Sequence, residues 1–177
     1  MWSLPWHKTT EPDKTLHLPR MKGCSMFNFK NSIVIDRPIE TVFAFVADLP
    51  SIPKWNYYVL SVVPTSPESG TVGSTYHQVR REDEQDLKIS KLEPNKSLIV
   101  ETIPPSKPEL RREITFKAQG NSTRIIDKWQ LDMGLPKLLE PLAANRAKSG
   151  VRENLGKLKT LLESGKVTLQ DGRSFSL

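Results

Sequence analysis

The stretch "DRPIETVFAFVADLPSIPKWNYYV", residues 36–59, changes its periodicity twice, and that change decides the fold. Ahead of it, Phe29 to Ile35 is rich in β-branched and aromatic residues and reads as a strand. Inside it, Ile39, Val42, Phe43, Val46 and Leu49 recur at three- and four-residue spacing, which predicts a helix with a single apolar stripe. Asp36 is expected to cap that helix with its side-chain oxygen, and Pro38 to occupy its first turn. Pro50 should end it. The segment "SIPKWN" has room only for a second helical turn, from which Ile52 and Trp55 would pack back on the first helix.

Outward from this stretch, the chain alternates between strand-length segments and turn chemistry. Strands are expected at 57–65, 74–81, 86–93, 97–103, 109–118 and 122–133. The breaks are "SPESGTVG", "EDEQ", "PNK", "PPSKP" and "GN", and Gly120-Asn121 suits a two-residue hairpin. Consecutive strands joined by loops this short run antiparallel. A closing helix is expected within 137–163, with Leu138, Leu142, Ala147, Val151, Leu155, Leu158 and Leu162 as its stripe. Pro141 should kink its first turns or divide off a lead-in, and Gly150 and Gly156 make it depend on packing against the sheet.

These elements define an α+β domain: one curved antiparallel sheet of about seven strands, two short helices after the first strand, and a long C-terminal helix over the concave face. A curled sheet and one helix leave space between them. A cavity able to hold a small hydrophobic molecule is therefore expected.

Composition narrows the function. The chain has 177 residues, 37% of them hydrophobic, with a mean hydropathy of -0.45. This suits one domain, and no apolar run reaches the ~18 residues of a membrane span. The net charge of +6 lies at the ends: residues 26–136 hold 14 Lys+Arg and 14 Asp+Glu. A basic surface of the kind that meets phosphates is not expected, so nucleic acid is not the partner. The basic C-terminal helix offers either a solvated face or a peripheral contact with an anionic membrane. The single cysteine, Cys24, suits a reducing compartment and a cytoplasmic setting. Residues 1–25, broken by Pro5, Pro12 and Pro19, read as a poorly ordered arm, 26–164 as the domain, and 165–177 as a tail that either pairs as a strand elsewhere or stays loose.

The segments "IVIDRPIETVFAFVADLPSIPKWNYYVLSVV", "GTVGSTYHQVRR" and "LKTLLESG" together resemble the START-like (SRPBCC) superfamily, in particular its polyketide cyclase/dehydrase and lipid-transport branch. The resemblance covers about residues 28–164. It implies a helix-grip fold around a hydrophobic pocket. Superfamily members include lipid carriers, aromatic polyketide cyclases, quinone-binding proteins and co-chaperone domains, so the fold by itself selects no function.

Strand parity supplies the candidate site. On 122–133 the odd positions Ile125, Trp129, Leu131 and Met133 are apolar, which turns Asp127 inward. On 109–118 the even positions Leu110, Ile114, Phe116 and Ala118 are apolar, which turns Arg112 inward. With a turn at Gly120-Asn121, Asp127 falls opposite Ile114 and diagonal to Arg112. An inward acid beside an inward base can be a structural pair, a polar contact for a ligand or an acid/base couple. Arg112, Ile114, Phe116, Asp127, Trp129 and Leu131 are thus the first candidate lining residues. Tyr76 and Gln78 share one face of their strand with Arg80, and His77 and Val79 share the other. Trp55, from the second helical turn, and Val151 and Leu155, from the closing helix, complete the candidate set.

Enzyme signatures are sparse. His77 is the one histidine outside the arm, and no cysteine falls within the domain, so neither a His-based triad nor a thiol nucleophile assembles. No metal-ligand spacing, P-loop or GxGxxG element occurs, and no cofactor is expected. Three readings follow: a carrier of a lipid, isoprenoid, quinone or polyketide; a cyclase or dehydratase in which Asp127 and Arg112 act on the substrate; and a co-chaperone-like interaction module.

Overall fold

The computed structural model describes residues 26–177 apart from positions 133, 135 and 137, so the N-terminal arm and the expected inward Met133 lie outside the described residues. The chain runs β1 (Phe27–Ile35), α1 (Ile39–Ala47), a 3-10 helix (Leu49–Lys54), then β2 (Val59–Pro64), β3 (Thr75–Arg80), β4 (Glu84–Glu93), β5 (Ser97–Thr102), β6 (Glu109–Gln119) and β7 (Ser122–Asp132). It closes with α2 (Glu140–Ser164), β8 (Lys166–Thr168) and β9 (Ser174–Ser176). The first seven strands form one antiparallel sheet in the order β1-β7-β6-β5-β4-β3-β2. The first strand of the chain thus returns beside the last, and β2 forms the opposite edge. Every inter-strand connection from β2 to β7 is a hairpin, as the short turn segments require.

Several local expectations are corrected. Asp36 does not cap α1: Pro38 holds the cap position without a side-chain bond, and the Asp36 carboxylate instead accepts a hydrogen bond from Ser122 Oγ. Tertiary pairing across β1 and β7 has claimed the cap oxygen. Pro141 neither kinks α2 nor divides it, because it sits in the first turn, where the missing N–H costs nothing. "EDEQ" is not a turn in full: Glu84 and Gln85 belong to β4, and the turn is tighter. Ala118 is exposed, since β6 has left the core by that point.

The interior is filled where α1 and the C-terminal half of α2 meet the sheet. Ile35, Val42, Phe43, Phe116 and Ile125 join Leu155, Leu158, Leu161 and Leu162 in one apolar cluster. The Phe43 and Phe116 rings meet edge to face at 5.2 Å. Glu163 ties this end together, its Oε1 accepting from Asp36 N–H and Lys159 Nζ, both at 2.6 Å. Residues 166–176 form a small hairpin, with Val167 and Leu169 buried beneath it. It is clamped by Arg173, whose guanidinium donates to the Tyr57 and Val59 carbonyls, and by Asp171, which pairs with Arg81 and Arg173.

Candidate functional site

The other end of the same sheet is not filled. Between the concave face and the N-terminal half of α2 lies a cavity of about 520 Å³ that opens to solvent. Cavities that enclose small ligands are on the order of 300–1,000 Å³. Its wall comes from the inward side of every strand from β3 to β7, because period-two alternation carries one row of side chains per strand to the concave face. Leu87, Leu98, Val100, Ile114 and Leu131 make it apolar, and Val46, Leu49 and Ile52 close it from the helical side.

The register predicted from Gly120-Asn121 is the one observed: Ile114 pairs with Asp127 and Arg112 with Trp129. Arg112 and Asp127 form a buried, two-pronged ion pair, Nε to Oδ1 and Nη2 to Oδ2, both at 2.9 Å. Parallel N–H···O bonds of this kind fix the guanidinium plane. That plane lies over the Trp129 ring at 4.8 Å and near Trp55 at 5.7 Å, and Trp129 is itself stacked on Phe29. Arg112 is thus held by charge on one edge and by aromatic faces around it. Nη1 receives no partner among the described residues, and Arg112 lines the cavity.

The structure divides the candidate residues in two. Arg112, Ile114, Trp129, Leu131, Gln78 and Val151 lie in the cavity wall. Phe116, Asp127, Tyr76, Trp55 and Leu155 do not, and each has a physical reason. Asp127 is 0% exposed and stands behind Arg112, with both oxygens occupied by the guanidinium, so it positions Arg112 and does not face a ligand. Tyr76 is turned to the loop before β3, where its hydroxyl accepts from Gly70 N–H at 2.7 Å. Phe116 and Leu155 belong to the filled end, and Trp55 is sealed between the 3-10 helix and the sheet. Parity named the inward side for Phe116 and Asp127 but left the face of Tyr76 open, and it could not say how deep along the strand each would lie.

Residues that the sequence reading missed include Gln85, which it had assigned to a turn, and Gly150. A Cβ at Gly150 would come within 3.0–3.1 Å of the Tyr58 ring, and both residues line the cavity. The glycine lets α2 close down on Tyr58. Asn154, also in the wall, donates to Asn56 Oδ1 and accepts from Tyr57 N–H, joining α2 to the loop before β2. His77 is on the outer face of β3, paired with Asp86 and Glu84, and plays no part in the cavity. Among the described residues no group of His, Cys, Asp and Glu is arranged to hold a metal ion, and no helix is long and apolar enough to cross a membrane.

A curved antiparallel sheet gripping a long helix around an apolar cavity defines a START-like, helix-grip protein, a fold for binding hydrophobic ligands. Residues 26–163 match the family described as polyketide cyclase / dehydrase and lipid transport, and the chain belongs to that family. Solved structures share the architecture at low identity. A START superfamily protein from Mycobacterium smegmatis superposes with a TM-score of 0.63 at 12% identity, covering 76% of this chain and 98% of that one. TTHA0849 from Thermus thermophilus gives 0.60 at 16%, covering 76% and 96%. DR_A0006 from Deinococcus radiodurans gives 0.57 at 19%, covering 78% and 99%. Among curated proteins none matches.

Proposed function

We propose that this protein binds and carries a hydrophobic small molecule, of the size and character of a lipid, isoprenoid, quinone or polyketide, in the cavity between its sheet and α2. The observation that carries the reading is a ligand-sized apolar space in whose wall Arg112, of the arginines there, is buried and fixed by a two-pronged ion pair. Asp127 already neutralises that cation. A second carboxylate would leave a net negative charge in a low-dielectric site, so a neutral oxygen such as a carbonyl is the better match for Arg112 Nη1. The indole Nε1 of Trp129, which also lines the cavity, is buried without a partner among the described residues and adds a donor to this pole.

The exit side supports loading from a membrane surface. Leu138, Leu139 and Leu142 are exposed at the start of α2, and Leu139 and Leu142 also line the cavity. Arg146 and Arg152 lie exposed further along the helix. Leucines inserting among acyl chains, with cations toward anionic headgroups, would bring the cavity mouth to the lipid. A cyclase or dehydratase reading rests on the same Arg112, which would polarise a substrate carbonyl; Asp127, being withdrawn, would serve only to orient it.

Mass spectrometry of the purified protein, native and then denatured and extracted, tests the proposal. A stoichiometric apolar molecule is expected, and Val151→Trp, which fills the cavity, should release it while the circular dichroism stays unchanged. Failure of the native protein to retain or take up any apolar probe would overturn the carrier reading. Sedimentation with phosphatidylcholine vesicles containing phosphatidylserine tests the lip: Leu138→Ser with Leu142→Ser should abolish it.

A further inference from the structure

The cavity contains a second polar element, well away from Arg112. Gln78 on β3 and Gln85 on β4 are directly paired across the sheet, are 6% and 1% exposed, and both line the cavity. Their amides form a short relay. Gln85 Nε2 donates to the Lys107 backbone carbonyl at 3.2 Å, and Gln78 Nε2 donates to Gln85 Oε1 at 3.3 Å. A backbone carbonyl only accepts, so it fixes which end of the Gln85 amide faces it. That leaves Gln85 Oε1 toward Gln78, which must in turn offer its own N–H. The orientation of both amides is thus set from the anchored end. At the free end Gln78 Oε1 receives no hydrogen bond among the described residues.

From these observations we infer that the cavity is bipolar: Arg112 receives an oxygen acceptor on the ligand, and Gln78 Oε1 receives an O–H or N–H donor at the ligand's far end. The inference rests on the cavity being a ligand site and goes further by specifying the ligand's two ends. The two poles sit apart on the sheet. Gln85 precedes Ile89 by four residues, Ile89 pairs with Val100, and Val100 with Arg112. With Gln78 one strand beyond Gln85, strand geometry puts it roughly 13 Å along the strands and about 14 Å across them from Arg112, before curvature shortens the path. An elongated apolar skeleton fits, with a carbonyl at one end and a hydroxyl at the other. Of the two carboxylates in the wall, Glu82 is exposed, so water competes for it, and Asp83 Oδ1 is buried but faces the Arg80 guanidinium at 3.5 Å, so a cation already claims it. The relay thus offers a fixed, uncharged acceptor on a buried side chain that no other group of the described residues has claimed. Burying a hydroxyl in an apolar wall without a partner is costly, so the acceptor should decide whether a hydroxylated ligand is tolerated.

Methyl decanoate and its ω-hydroxy derivative serve as probes, with affinities read by displacement of a fluorescent fatty ester from the full chain. In Gln78→Leu the ω-hydroxy ester should lose about tenfold in affinity, the cost of one unmade hydrogen bond, while methyl decanoate binds as before. Gln78→Asn keeps an amide with both an N–H for Gln85 Oε1 and an acceptor oxygen, and should hold the hydroxylated probe better than Gln78→Leu, which separates the hydrogen bond from a packing effect. Equal losses for both probes in Gln78→Leu, or no loss for the hydroxylated one, would overturn the bipolar assignment and leave the carrier reading standing. If neither ester binds the unaltered protein, both fall.

Discussion

The two halves of α2 face the same sheet with the same kind of stripe and meet opposite fates. In the C-terminal half, Leu155, Leu158, Leu161 and Leu162 are 2%, 0%, 0% and 2% exposed against α1, β1 and the sheet. At the other end, Leu138 and Leu139 just ahead of the helix and Leu142 in its first turn are 90%, 51% and 74% exposed. The helix is continuous between them, so its own periodicity does not make the difference. What differs is the sheet: at one end it is filled by α1 and the aromatic pair Phe43–Phe116, and at the other it curls away and leaves the cavity. One end of the helix is core, and the other is a cover over a ligand space.

The largest way to break this division is at its boundary, where the Arg112–Asp127 pair sits. Asp127→Leu strands a buried guanidinium and should cost about 3–5 kcal/mol in urea unfolding, whereas Arg112→Met combined with Asp127→Leu should recover most of that loss. Recovery in the double variant would mark the pair as a device for the cavity and not for stability. Next, Leu158→Ala in the filled end should cost about 2–5 kcal/mol, while Leu142→Ala at the open end should stay within about 0.5 kcal/mol. Similar losses at both positions would erase the division.

Smaller effects sharpen it. Gly156 has no atom within 4 Å of an added Cβ, so Gly156→Ala should stabilise by up to about 1 kcal/mol through helix propensity. Gly150→Ala should give less or reverse the sign, because the Tyr58 ring must move.

The smallest effects are those of pH. Burial would raise the Glu163 carboxyl, but hydrogen bonds from Asp36 N–H and Lys159 outweigh it and hold it below its ordinary 4.5. Its contribution is therefore present above that value and lost as pH falls through the depressed one. The Asp86 hydrogen bond raises His77 above 6.5, so its contribution is present below 6.5 and lost as pH rises through the raised value. In thermal melts across pH 3 to 9, the deficit of Glu163→Gln should be present above 4.5 and fade in acid, and that of His77→Gln should be present below 6.5 and fade as the pH rises.

Much of the site was legible because the β6–β7 hairpin is local. A two-residue turn at Gly120-Asn121 fixes the register of eleven residues on each side, and parity then places Arg112 and Asp127 on the same face. Gln85 was not legible. In "EDEQ" its neighbours are acidic and the segment has turn composition, so nothing local announces a buried strand position. Its burial depends on the Lys107 carbonyl, 22 residues away, accepting its amide. Asp36 failed as a cap for the same reason: Ser122, 86 residues away, offered its oxygen a partner.

The sequence by itself determined the order of elements from β1 to α2, the antiparallel pairing, the side of the sheet that β6 and β7 residues face, and the expectation of a concave apolar space. These follow from periods of two and 3.6 and from turn chemistry, all of which act over a few residues. Only the tertiary structure decided which inward residues line the cavity and which fill the core, which member of the ion pair faces the cavity, and which end of α2 is covered. Depth along a curved sheet is set by contacts between segments far apart in the chain, and no local period carries that information.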